Sequence, residues 1–373
     1  MKILFVIDSL TFGGTERQLV ELINGLDRHR YEVHLVSLDN VAEGYTDLLT
    51  ARGIRIRYFC RGHKYDIRPG FSISRYIREN QIELVHAFLN MGVLFGLIAA
   101  KLSGRPVVCS AIRDAKDQNL KVKVSKKIVA HLADIFVANS RAGFTNRFRN
   151  MKPHFRVVHN GLDFSRFEET KDARAVQELK KDLHLHGLKR IVGMVASLSE
   201  RKDHETLLDA APMVLQAYPE TCFLLVGDGV KRKTLMEKAK QLGLENNVLF
   251  LGFRKDVDHI YDILDILVLL SNTDAHLEGI SNAIIEAMAA GVPVVASEGG
   301  GTNEIVKNDA NGVLIAPKNA QETAEAIVGL LGDKDKAQRL ANTAKLFVRE
   351  MFNLQRYVEE YESIYRELIL DER

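Results

Sequence analysis

Short apolar runs that alternate with helically spaced segments constrain this chain more than any other feature. The first group of runs lies at residues 2–7, 32–38, 54–59, 83–87, 106–111, 134–138 and 156–158. A second group lies at 190–196, 222–226, 248–251, 266–270, 292–296 and 313–315. Between the runs, segments such as 16–26 place Leu19, Leu22, Ile23 and Leu26 at the spacing of one helix face. Strand and helix in strict alternation imply right-handed crossovers and mostly parallel sheets with helices on both faces.

The alternation breaks once. After Asn160-Gly161, a turn signal, residues 164–187 are rich in charge, with Glu168, Glu169, Lys171, Asp172, Lys180, Lys181 and Asp182. At 373 residues the chain also exceeds the size at which one core usually stops growing. The expected architecture is therefore two Rossmann-like α/β domains, at 1–163 and 188–352, joined by a linker at 164–187. An amphipathic helix within 353–373 follows, with Tyr357, Tyr361, Ile364 and Leu368 on one face. Two such domains facing across a cleft would bind ligands at the carboxyl ends of their strands.

Composition removes several classes of function. With 46% hydrophobic and 27% charged residues the chain is globular rather than low in complexity. Cys60, Cys109 and Cys222 match no zinc or redox spacing and are expected to be buried, reduced thiols. Met1-Lys2 leads straight into a strand, which predicts a cytoplasmic protein without a signal peptide. Residues 87–100 fall short of the roughly 20 that a bilayer span needs and contain Asn90, so a buried helix is expected there. Charge is uneven: residues 1–150 hold 23 Lys and Arg against 14 Asp and Glu, while the remainder holds 28 against 35. A basic half fits an anionic surface or partner, and it equally fits chance clustering on a solvated face. No nucleic-acid partner is expected.

The segment with the most chemical content is 278–291, Glu-Gly-Ile-Ser-Asn-Ala-Ile-Ile-Glu-Ala-Met-Ala-Ala-Gly. It places Glu278 just before a helix and Glu286 inside it. A helix start carries backbone N–H groups without intrahelical partners and partial positive charge, so the amides from Gly279 through Ile280 and Ser281 to Asn282 could hold phosphate. Carboxylates beside such a site repel phosphate but accept hydrogen bonds from sugar hydroxyls. The segment reads as a socket for a phosphorylated sugar or a nucleotide.

Other strand ends offer weaker signals. Gly13-Gly14 sits in a strand-to-helix turn but lacks the Gly-x-Gly-x-x-Gly dinucleotide spacing. Arg201-Lys202, after 196–200, could neutralise a diphosphate as it leaves a sugar. Gly227-Asp228-Gly229 and Gly252-Phe253-Arg254 could bring backbone and a cation close to a ligand. Each also fits a plain turn or a solvated loop. Asp256 with Asp258, and Asp333 with Asp335, are carboxylates two apart among lysines, where helix capping is favoured, and no metal site is expected.

Taken together these residues resemble the retaining glycosyltransferases of the GT-B fold, specifically glycosyltransferase family 4. The match is Glu278, seven residues, Glu286, then Ala-Met-Ala-Ala-Gly-Val-Pro-Val-Val-Ala-Ser, supported by Gly13-Gly14-Thr15-Glu16, Asn160-Gly161-Leu162-Asp163, Lys202, Gly227-Asp228-Gly229 and Gly252-Phe253. The resemblance implies a nucleotide-sugar donor, with UDP or GDP as carrier, and neither cofactor nor metal. It implies that Glu286 holds the ribose, Glu278 the donor sugar, and Lys202 with the amides of 279–282 the diphosphate, which Gly14 approaches from the first domain. It also implies that the last helix crosses back over the first domain.

Two positions depart from the family pattern. Ser197 stands where relatives carry an Arg, leaving Arg201 or Arg254 to supply that cation. After 106–111, where relatives carry a His near the acceptor, this chain has Arg113-Asp114, which fits Arg113 binding an anionic group or Asp114 taking a polar role. His86 is a further candidate, set against a satisfied core histidine. At 116–127, Lys116, Lys121, Lys123, Lys126 and Lys127 interleave with apolar residues. This fits a helix resting on an anionic membrane, at its inner face, beside a glycan or lipid-linked acceptor, and it equally fits a solvated helix. Two other functions remain open on the same motifs: a sugar-nucleotide epimerase, and a nucleotide-sugar-binding protein without catalysis.

Overall fold

The structure, a computed structural model, describes residues 1–40, 44–63, 66–115, 120–168, 173–183, 185, 189–274 and 276–370. Every apolar run of the first half forms a strand: β1 (Lys2–Ile7), β2 (Glu32–Ser37), β3 (Ile56–Tyr58), β4 (Leu84–Phe88), β5 (Val107–Ile112), β6 (Ile135–Ala138) and β7 (Phe155–Val157). They pair in parallel in the order β3-β2-β1-β4-β5-β6-β7. Successive side chains point to opposite faces. Leu4 and Val6 therefore enter one core with Val85, Val93 and Phe95, while Ile3, Phe5 and Ile7 enter another with Leu19, Tyr357 and Tyr361. Coverage on both faces explains why these strands read as continuous apolar runs.

The second half repeats the plan with β8 (Arg190–Val195), β9 (Thr221–Val226), β10 (Val248–Gly252), β11 (Ile266–Leu269), β12 (Val294–Ser297) and β13 (Val313–Ile315). Their parallel order is β10-β9-β8-β11-β12-β13. Each sheet reverses its direction of winding once, between β1 and β4 in the first and between β8 and β11 in the second. The crevice outside the carboxyl ends of the strands at such a reversal is where sheets of this kind bind ligands.

The chain divides into two compact units, Met1–Gly161 with Phe352–Arg373, and Leu162–Met351. The described residues of 164–187 belong to the second of these units. Arg166 there donates to Asp258 at 2.9 Å through Nε, and Glu168 pairs with Arg349 at 3.2 Å. Glu169, Lys171 and Asp172 lie outside the described residues. The final helix, Leu354–Leu370, supplies Tyr357, Val358, Tyr361, Ile364 and Tyr365 to the core of the first unit. Its place beside the chain turn is fixed by Gly161, where an added Cβ would come within 2.7 Å of the Tyr357 Cβ.

Two expectations are corrected. Cys109 and Cys222 are buried, with burial pushing the Cys222 thiol up to about 12, but Cys60 is exposed. It follows β3, which has a partner on one side only. The apolar segment 87–100 contributes to a helix, Met91–Leu102, that is not wholly buried, since Leu94, Ile98 and Leu102 face solvent. Among the described residues no helix is long and apolar enough to cross a membrane.

Candidate active site

In the second unit the chain leaving β8 folds across the end of β11. Asp203 N donates to the Leu270 carbonyl at 3.1 Å and Asn272 N to the Arg201 carbonyl at 3.0 Å, so Lys202 is bridged to Ser271 at the winding reversal. Asp203 also caps the helix His204–Ala217, accepting from Thr206 N at 3.2 Å and Thr206 Oγ1 at 2.7 Å, which fixes the backbone beside Lys202. The loop after β9 supports the same turn from the other side. A Cβ on Gly227 or Gly229 would lie 2.1 Å from the Ala196 carbonyl oxygen or 2.4 Å from that of Leu198, and both glycines have positive φ.

Three groups converge on one oxygen of Glu278. Lys202 Nζ forms a short ion pair with Oε1, Ser271 Oγ donates to it at 3.2 Å, and His276 Nε2 lies 3.4 Å away. The Glu278 backbone is held as well, its carbonyl accepting from Gly301 N at 2.8 Å. Burial pushes the Glu278 carboxyl up, but the Lys202 charge and the contact with His276 outweigh it and hold the group well below the usual carboxylate range. The result is an ionised carboxylate and an ammonium, both largely shielded from water.

Glu286 lies on the helix Asn282–Ala289, whose N-cap residue Ser281 makes no side-chain capping bond. Its carboxylate is buried, with Tyr261 Oη donating to Oε2 at 3.0 Å and Arg166 Nη1 lying 3.9 Å from Oε1. Glu278 thus stands just before the helix start and Glu286 just over one turn inside it, as the spacing predicts.

Two family models match the chain in succession, one for Glycosyltransferase Family 4 over residues 12–166 and one for glycosyl transferases group 1 over 176–347. The chain belongs to glycosyltransferase family 4. It is similar to HepE from Anabaena, solved with UDP-glucose, at 26% identity and a TM-score of 0.86 over 99% of this chain and 100% of that one. It is 24% identical, over 96% of its length and 95% of the relative's, to the UDP-Gal:alpha-D-GlcNAc-diphosphoundecaprenol alpha-1,3-galactosyltransferase of Escherichia coli. It is 26% identical, over 82% of each chain, to a GDP-mannose-dependent alpha-(1-6)-phosphatidylinositol monomannoside mannosyltransferase of Mycobacterium tuberculosis. The fold is GT-B, the family is of the retaining type, and the enzyme transfers sugar from a nucleotide sugar.

Not every residue expected at the site of this glycosyltransferase joins the Lys202–Glu278 group. Ser197 is bonded to Ser199 at 3.0 Å, and the Arg201 side chain is exposed. Arg254 is clamped by Asp256 through Nε at 2.8 Å and Nη2 at 2.5 Å, while Asp258 is occupied by Arg166. Asp333 caps a helix start by accepting from Lys336 N at 2.8 Å. Sequence reasoning missed His276, Ser271, Tyr261 and Arg166. Only the position of His276, two residues before Glu278, hinted at a contact.

The first unit accounts for its own candidates differently. Gly13 is the N-cap of the helix Gly14–Gly25, and a Cβ there would sit 2.2 Å from Glu16 Oε2, so the glycine makes room for a carboxylate folded back over the helix start. Arg113 lies over the Phe88 ring at 5.5 Å beside the Tyr357 and Tyr361 hydroxyls. Nη1 reaches Asn160 Oδ1 at 3.5 Å, and Nε and Nη2 are buried without a well-formed hydrogen bond. Asp114 is paired with Arg147 at 2.5 Å and Lys126 at 3.2 Å. His86 is a satisfied core histidine, its nitrogens 2.7 Å from Tyr365 Oη and 2.8 Å from Ser110 Oγ.

Proposed function

We propose that this enzyme moves a hexosyl group, with retention, from a UDP- or GDP-sugar to a glycan or lipid-linked acceptor in polysaccharide synthesis. The observation that carries the reading is the Lys202–Glu278 pair at the winding reversal, with Glu286 on the helix that follows. Without ligand, ammonium and carboxylate neutralise one another. A donor would divide them, its diphosphate drawing Lys202 and the amides of 279–282, its sugar hydroxyls donating to Glu278. Glu286 would accept from the ribose hydroxyls. Positive charge from Lys202, rather than a metal ion, would then stabilise the departing nucleoside diphosphate. Ser197, Arg201, Gly227 and Arg254 surround this proposal as secondary donor contacts, Arg254 only after release from Asp256.

On the acceptor side, the buried donors of Arg113 support recognition of an anionic group. Two relatives carry lipid-linked acceptors in their names, a diphosphoundecaprenol and a phosphatidylinositol glycoside. This favours a cytoplasmic enzyme working at the inner face of a membrane. Of the basic stretch 116–127, Lys116 lies outside the described residues, whereas Lys123 and Lys127 are exposed.

The test is incubation with UDP- and GDP-sugars, following transfer or slow donor hydrolysis. Epimer formation would point to an epimerase, and saturable binding without turnover to a binding protein. Glu286→Ala is expected to weaken donor binding, and Lys202→Ala to lower turnover about 100- to 1,000-fold, the usual loss for a charge-stabilising donor. Wild-type transfer by both variants would sink the assignment.

A further inference from the structure

Between the helices Met91–Leu102 and Leu120–Leu132 of the first unit runs an apolar groove of about 710 Å³. Its walls are two matching stripes at every fourth residue, Leu94, Ile98 and Leu102 on one helix and Val124, Ile128 and Leu132 on the other. All six are exposed, Leu102 at 51% and Ile128 at 54%. At 1.5 Å per residue each stripe is about 12 Å long. The face continues onto the neighbouring helix Arg68–Glu79, where Phe71 is exposed and where a Cβ on Gly70 would touch the Ile98 side chain at 3.4 Å. Soluble proteins rarely leave so continuous an apolar surface without an occupant.

The charge around the groove selects that occupant. Neither groove helix contains an Asp or Glu. Lys123 and Lys127 are exposed on the second helix, and Lys101, at the groove, is held by Asp134 at 2.8 Å. A second copy of this chain docking about a two-fold axis would set these lysines against their own counterparts, with no acid on either helix to offset them. An anionic lipid leaflet offers what the groove lacks, apolar chains beneath a layer of negative charge.

We infer that this groove docks the first unit on an anionic phospholipid leaflet, with acyl chains entering between the two helices and Lys123 and Lys127 at the level of the headgroups. The inference deepens the reading above, on which its use in presenting a lipid-linked acceptor rests. It moves the membrane contact from a basic stretch to a shaped apolar site.

Flotation of the full chain with vesicles tests it, using phosphatidylcholine alone and phosphatidylcholine mixed with phosphatidylglycerol. The wild type is expected to float with the mixed vesicles and to be released by salt. Ile98→Ser with Ile128→Ser should weaken binding about tenfold for each side chain withdrawn from lipid. Lys123→Gln with Lys127→Gln should weaken it about fivefold per lysine and abolish the preference for phosphatidylglycerol. Melting temperature and donor hydrolysis in free solution should be unchanged in both. A wild type that stays unbound, or an isoleucine variant that floats like the wild type, overturns the inference. So does a dimer in sedimentation that the isoleucine variant dissolves. Vesicle binding by a wild type that turns over no nucleotide sugar would overturn the catalytic reading and leave the groove assignment standing.

Discussion

The two units share a winding plan and use its reversal point in opposite ways. In the first, Asp8 follows β1 and accepts from Gly92 N at 2.6 Å and Met91 N at 3.3 Å, filling the N-terminus of the helix after β4 with a carboxylate of the protein itself. In the second, the corresponding helix after β11 begins at Asn282 with no capping bond from the Ser281 side chain, and the nearby Glu278 turns to Lys202, Ser271 and His276. Burial raises Asp8 despite its amide bonds, whereas Glu278 is held low by its cation. One topology thus becomes a sealed helix end in one place and a candidate phosphate socket in the other. In the first unit a carboxylate from the loop after β1 is given to the helix amides, whereas in the second the carboxylate just before the helix is given to Lys202.

The strongest way to break this contrast is Glu278→Gln. Removing one member of a buried ion pair leaves Lys202 without its countercharge, which typically costs about 3–5 kcal/mol. The pH dependence has a definite sign. Because the folded state holds Glu278 below its ordinary value of 4.5, its stabilisation is complete above that value and is lost as pH falls below it. Urea unfolding at about pH 7 and about pH 4 should therefore show a large loss in the variant at the higher pH and a loss only slightly smaller at the lower, because the folded carboxyl is still ionised there and the gap closes only in stronger acid. Equal stability at both would mean that the pair is incidental.

A second test sets two buried histidines against each other. His86 in β4 is bonded at both nitrogens, whereas His204, at the start of its helix, has no well-formed hydrogen bond to either. Burial lowers both, His204 from 6.5 to about 4. Each stays neutral in the fold while its unfolded counterpart takes up a proton, so stability falls as pH drops from 6.5, by about 3 kcal/mol for His204 once pH reaches its folded value. His204→Leu should remove that slope and change stability at neutral pH by no more than about 1 kcal/mol, since it gives up only a poorly formed contact with the Lys202 backbone. His86→Leu should cost about 2–4 kcal/mol at neutral pH, because the Ser110 and Tyr365 hydroxyls lose their partner. Equal losses at neutral pH would show that His204 has a partner in solution.

How much of this was legible follows from the physics of each signal. Strands buried on both faces announce themselves as apolar runs, so both sheets could be read directly. The Glu278–Glu286 spacing was equally plain, because a helix start fixes where both carboxylates fall. The clamp on Arg254 was hidden because nothing in its neighbourhood says that Asp256 closes back on it. Arg166 hid in a charged stretch that looked like a linker, yet it reaches Asp258, ninety-two residues away in sequence. The groove was invisible for another reason: hydropathy marks 87–100 as apolar but does not say which of its faces another element covers.

The smallest effect is expected at Asp8, and it completes the contrast. Its folded value lies above the ordinary 3.8, with desolvation outweighing the bonds from Gly92 and Met91, so the charge is a net burden near neutrality. As pH falls through that raised value the wild type gains stability relative to a chain with no ionisable group there, the reverse of Glu278. Asp8→Asn keeps one acceptor for the helix amides and removes the charge. It should therefore stay within about 1 kcal/mol of the wild type at neutral pH and lack the relative gain in acid. Chemical denaturation of both proteins across that range decides the matter. If Asp8→Asn lost as much as Glu278→Gln, the two helix ends would depend on charge alike, and the contrast between the two units would fall.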